Sequence, residues 1–79
     1  MSDLARLQRI FREFFDDDGL VISPGTQAED IAGWDSVAHV GLLAAIEQDC
    51  GLEFDLDEIL ALTSVEALLA AIARGRGAG

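Results

Sequence analysis

Asp35, Ser36 and His39 place a carboxylate, a hydroxyl and an imidazole within little more than one helical turn of each other. These are the groups of a hydrolytic triad, and Ser36 and His39 at i and i+3 would be neighbours on a helix. The surroundings argue against hydrolysis. A nucleophile elbow needs Gly-x-Ser-x-Gly, and Trp34 and Ala38 occupy the glycine positions here. A chain of 79 residues also leaves little room for a substrate cleft and an oxyanion hole. His39 is therefore expected on the exposed side of its helix, without a catalytic role.

Metal chemistry fares no better. One His and one Cys cannot close a structural site. The run Asp16-Asp17-Asp18-Gly19 invites comparison with a calcium loop, but placing Gly19 at the sixth position makes Phe14 the first ligand and Gly25 the twelfth, and neither can serve. A solvated acidic turn fits better. Cys50, at the end of the same helix as Ser36, is expected to behave as a small hydrophobe.

Ser36 has a further use, as a site of modification. If Asp35 caps a helix, Ser36 is its first residue, exposed at the end of a loop. A phosphodiester there would lie at the positive end of the helix dipole, where backbone amides favour anions. A plain helix-start serine fits the same facts, so chemistry alone leaves both readings open.

The elements that must position these residues follow from periodicity. Leu4, Leu7, Ile10, Phe11, Phe14 and Phe15 form one stripe of an amphipathic helix running from Ser2 or Asp3 to about Asp16, with Arg6, Arg9, Arg12 and Glu13 on the other side. Asp16 to Gly19 and Ser23-Pro24-Gly25 are turn clusters within a long connection to Asp35. Connections of that length are usually functional or carry a helical turn of their own. Val21, Ile22 and Ile31 could pin it to a core. A second helix from Asp35 is predicted to bury Val37, Val40, Leu43, Ala44 and Ile46, to leave Glu47 and Gln48 outward, and to stop at Gly51. Leu52 and Phe54 re-enter the core. Asp55 or Asp57 opens a short helix with Ile59, Leu60 and Leu62. Thr63 and Glu66 read as a capping box for a last helix with Val65, Leu68, Leu69 and Ile72, ended by Gly75. The expectation is one domain over 1–79, ordered over about 3–74, with 75–79 a frayed tail.

Composition sets the outer bounds. Half of the residues are apolar, which is enough for a packed interior. Fifteen Asp and Glu against five Arg, with no Lys, give a net charge of −10. Nucleic acid is an improbable partner, since phosphate binding needs clustered cations, and an anionic membrane would repel this surface. Such a surface steers the protein toward basic patches on other proteins; it also simply keeps a small protein soluble. The start lacks the basic and apolar pattern of a signal peptide, and no stretch approaches the roughly 20 apolar residues that span a bilayer. A cytoplasmic monomer is expected.

The stretch Asp30-Ile31-Ala32-Gly33-Trp34-Asp35-Ser36-Val37 resembles the phosphopantetheine attachment motif of the acyl carrier protein family, which includes peptidyl and aminoacyl carriers. There Asp-Ser-Leu follows a glycine-containing turn; Val37 stands here for the leucine. The context extends the likeness from Leu4 to about Ile72: an apolar helix, a long loop, then Val40, Leu42, Leu43, Ile46, Glu47 and Gly51, then Thr63-Ser64-Val65. The resemblance implies an all-α four-helix bundle with three main helices and a short third one. It implies a non-catalytic carrier whose Ser36, beside the motif acid Asp35, bears 4′-phosphopantetheine installed from coenzyme A by a phosphopantetheinyl transferase.

Cargo would ride as a thioester on the arm, loaded by an acyl- or aminoacyl-activating ligase and passed to downstream biosynthetic enzymes with basic docking patches. Many fatty-acid carriers have acids on the first turns of the second helix, where this chain has Ala38 and Gly41. A dedicated polyketide, nonribosomal-peptide or aminoacyl pathway is thereby favoured over general fatty-acid synthesis. Gly41 costs its helix roughly 1 kcal/mol relative to Ala, which points to close approach there by a neighbour or a partner. Candidate partner contacts are Trp34, Val37, His39, Glu47, Asp49, Glu53, Asp57 and Glu58, with Trp34 alternatively a packing anchor for the loop. The rival from another class is an acidic helical interaction module that is never modified.

Overall fold

The computed structural model describes the backbone of residues 2–78 and the side chains of residues 2–75. Among the described residues four helices follow one another: α1 (Asp3–Phe14), α2 (Ser36–Cys50), α3 (Leu56–Ala61) and α4 (Val65–Ala78), with a single 3₁₀ turn at Ala28–Asp30 in the long loop. Among the described residues the only extended pairing is an isolated bridge between Gln27 and Ser64.

Local chemistry explains most of the boundaries. Ser2 starts α1 by accepting the Ala5 amide, Asp55 starts α3 by accepting that of Glu58, and Gly51 ends α2 in the left-handed conformation at φ 68°. Two boundaries differ from those the sequence predicts. Ser64, not Thr63, caps α4, its Oγ accepting the Ala67 amide at 3.1 Å. Thr63 instead lends its carbonyl to the Ala28 amide at 2.9 Å. Gly75 does not end α4, whose backbone stays helical to Ala78; the expected fraying of residue 79 lies outside the described residues.

Leu7, Ile10 and Phe11 of α1, Leu42, Leu43 and Ile46 of α2, and Val65, Leu68 and Ile72 of α4 form the core. Leu4 and Phe15 flank it half-buried, as do Leu52, Phe54 and Cys50. α1 is tied to α2 at the surface by Asp49, which accepts from Arg9 at 2.9 Å and pairs with Arg6 at 3.4 Å. The hydrogen bond and the charge of Asp49 both raise the pKa of Arg9 above its ordinary value. Gly41 of α2 lies under α1: a Cβ there would meet the Phe14 ring at 3.1 Å. The close approach that this glycine implies is thus an intramolecular one.

The α2 face is not the one that apolarity alone selects. Its buried residues are His39, Leu42, Leu43 and Ile46, an i, i+3, i+4, i+7 stripe. Val37 and Val40, expected inside, are 85% and 57% exposed, and Ala44 also faces out. His39, expected outside, is buried. In the short-helix segment Leu60 is exposed, while Ile59 and Leu62 pack against the core.

The long loop is held from both ends. Gln8 reaches across from α1, its Nε2 donating to the Leu20 carbonyl at 2.6 Å while its Oε1 accepts the Ile22 amide at 3.0 Å. Arg12 Nε donates to the same carbonyl at 2.8 Å. Ile22, Ile31 and Trp34 sink into the core, whereas Val21 is exposed and pins nothing. The Val65 amide donates to Thr26 at 2.8 Å, closing the loop onto the start of α4. The result is a loop that delivers residue 35 to a fixed place.

Candidate functional site

Asp35 has extended backbone geometry, and its Oδ1 accepts the Ala38 amide at 2.8 Å while its carbonyl accepts that of His39. Ser36 is thereby the first residue of α2, exposed, with first-turn amides that have no partner within the helix. Removal of the cap, Asp35→Ala, is expected to cost about 1 kcal/mol. Thermal melts should show it as a fall of roughly 4–8 °C in Tm.

Behind Ser36 lies a paired anchor. Trp34 is 6% exposed, and its ring meets Phe11 edge-on at 5.3 Å and 84°. Its indole Nε1 donates to His39 Nδ1 at 2.8 Å, and the two rings stack at 26°. Because Nδ1 accepts, the proton of the neutral ring is on Nε2, which donates to the carbonyl of Ile59 in α3. His39 thus links the loop, α2 and α3, and both of its nitrogens are occupied. Trp34, for which the sequence left packing anchor and partner contact both open, is packed on Phe11, and His39, a further candidate contact, is buried beside it.

A cleft of about 330 Å³ opens beside Ser36 between α2 and α3. The buried rings of Trp34 and His39 form its floor, and Ser36, Val40, Leu60 and Thr63 are its exposed rim. Leu60 and Thr63 were not singled out as site residues from the sequence. They are distant from Ser36 along the chain, and no local pattern marks them; only the packing of α3 brings them there.

The acidic candidates separate into engaged and free groups. Asp49 is occupied by Arg6 and Arg9. Glu47, expected to point outward, is half-buried, its Oε2 accepting the Phe54 amide at 2.8 Å. Glu58 lies 3.9 Å from Arg74. Glu53 and Asp57 are exposed, as is Val37 next to Ser36. No group of His, Cys, Asp and Glu among the described residues could hold a metal ion. Nor is any helix long and apolar enough to cross a membrane.

The site has the parts that a phosphodiester-linked arm needs: an exposed hydroxyl, a helix start that favours the phosphate, and an adjacent cleft. Comparison with known proteins agrees. The family described as "phosphopantetheine attachment site" matches residues 5–72. The fold matches the solution structure of a holo acyl carrier protein from Geobacter metallireducens with a TM-score of 0.87 and 35% identity, covering 98% of this chain and 88% of that one. Among curated proteins none matches. The fold, the site at the start of α2 and the match over nearly all of the chain lead to one conclusion: it belongs to the phosphopantetheine attachment family and is a non-catalytic carrier protein with 4′-phosphopantetheine as its covalent cofactor.

Proposed function

We propose that Ser36 is the attachment residue and that the carrier serves a dedicated pathway with polyketide, nonribosomal-peptide or aminoacyl cargo. The observation that carries the assignment is the exposed Ser36 hydroxyl at the capped start of α2, beside the cleft. In attachment, the Ser36 Oγ bonds to the phosphorus next to pantetheine, the pyrophosphate P–O bond breaks, and the nucleotide half of coenzyme A leaves. The serine proton passes to the transferase. The bound arm supplies a terminal thiol for thioester chemistry. Asp35 fixes the helix start, the first-turn amides face the phosphate, and Trp34 with His39 holds the loop in register.

The pathway preference rests on the face of α2 beside Ser36. Its first turn has no acidic residue, and Val37 and Val40 stand outward there. A partner that meets this face needs an apolar contact more than a basic one. Charge enters through the exposed Glu53 and Asp57.

Incubation with a broad-specificity phosphopantetheinyl transferase and coenzyme A, followed by intact mass and peptide mapping, is expected to find one phosphopantetheinyl group on Ser36. An unmodified chain would return it to the reading of an unmodified interaction module, and a label on another residue would remove Ser36 as the attachment site. Raising salt should slow loading by a cognate ligase, and Glu53→Lys with Asp57→Lys should lower the low-salt rate roughly tenfold and flatten the salt dependence. Asp49→Lys should act on stability instead, because its carboxylate joins α1 to α2. Equal salt slopes in the wild type and the double variant would exclude electrostatic steering through this pair.

A further inference from the structure

The cleft beside Ser36 has a floor whose construction bears on what the carrier can hold. Trp34 and His39 lie between the cleft and the core, and each is fixed in several ways. Trp34 is braced edge-on by Phe11 and hydrogen-bonded to His39; His39 is stacked on Trp34 and bonded to the α3 backbone. Moving either ring aside breaks the bond between them, and moving His39 breaks its bond to Ile59 as well, leaving buried polar groups without partners. Phe11, which meets Trp34, and Leu43, Ile46 and Leu68 of the same core are fully buried. At Ala28 and Thr63 the wall is held by their backbone hydrogen bond.

We infer that this carrier holds its cargo in the open cleft over the Trp34 and His39 rings, and that these rings bar it from the buried core. The inference rests on Ser36 being the attachment residue. A cleft that begins at the tether point meets its ligand at high effective concentration, so weak contacts with Trp34, Val40 and Leu60 suffice to fill it. At about 330 Å³ it is at the lower end of ligand sites, which run from about 300 to 1,000 Å³, and part of it goes to the arm itself. The cargo class that fits is therefore small: aminoacyl or short acyl groups. A long alkyl chain finds no additional apolar surface to bury.

The test loads the full chain from acetyl-, hexanoyl- and decanoyl-coenzyme A with a broad-specificity transferase, checking mass gain at each step. Trp34 is the only tryptophan, so its emission reports on the floor of the cleft. Expected are a change in Trp34 emission on loading, side-chain methyl NMR signals of Leu43, Ile46 and Leu68 that do not move between acetyl and decanoyl cargo, and a Tm independent of chain length. A chain that entered the core would instead shift those methyl signals and raise Tm by roughly 5 °C or more for every two methylenes. That outcome, or a Trp34 emission that never changes, overturns the inference while leaving the attachment intact. Absence of any mass gain overturns the attachment as well. In His39→Ala, decanoyl cargo should gain the chain-length-dependent Tm that the wild type lacks. An unchanged flat series in a folded variant would show that the rings are not the barrier, and if the variant does not fold, the wild-type series decides alone.

Discussion

Ser36→Ala is expected to abolish phosphopantetheinylation completely while leaving the fold untouched. The two halves of this expectation come from different features of one position. The Ser36 side chain is exposed and makes no hydrogen bond within the described structure, and alanine is the best of the helix formers, so α2 loses nothing. Its cap is Asp35, which the substitution leaves in place. What disappears is the nucleophilic oxygen itself, for which no neighbour can substitute: Asp35 is committed to the Ala38 amide, and His39 is buried with both nitrogens in use. Intact mass after incubation with transferase and coenzyme A should therefore show no gain, with a thermal melt within about 2 °C of the wild type. A mass gain equal to the wild type would remove Ser36 as the attachment residue.

Phe11→Ala should have the largest effect on stability. Phe11 is fully buried where α1 meets the loop, edge-on to Trp34 at 5.3 Å and tilted against Phe15 at 6.0 Å. Truncating such a ring costs about 3–5 kcal/mol through lost burial and the cavity left behind. Small domains have only about 5–15 kcal/mol in total. In a domain of this size the loss corresponds to a fall in Tm of at least about 12 °C, measurable by circular dichroism. The cavity adjoins Trp34, so the variant should also show altered tryptophan emission in its remaining folded state. A loss below about 1 kcal/mol by urea titration would mean that Phe11 does not hold the loop against the bundle.

How much of this was legible in the sequence depended on the range of the interactions. The caps at Asp35 and Gly51 each act within a few residues, so residue type and spacing were sufficient to place them, whereas at the short helix they left Asp55 and Asp57 both open and the structure selects Asp55. The apolar stripe of α1 was legible too, because Arg9, Arg12 and Glu13 opposite it set the helical phase, although Phe14 at its edge is exposed; in α4 Val65, Leu68 and Ile72 stood out as large residues among alanines. α2 was different. It is apolar nearly all round, and hydropathy alone put Val37, Val40 and Ala44 inside and His39 outside. The structure reverses this, because the Trp34 indole and the Ile59 carbonyl together satisfy an imidazole that would otherwise be costly to bury.

The sequence by itself determined the helical class, the position of Ser36 at a capped helix start and the acidity of the surface, since each is a matter of composition or of contacts a few residues apart. Only the tertiary structure decided which acids remain free, that Trp34 and His39 are a buried pair, and that Leu60 and Thr63 complete a cleft beside Ser36. Those outcomes depend on residues distant in the chain meeting across α2, α3 and the long loop, and no local pattern encodes a meeting of that kind.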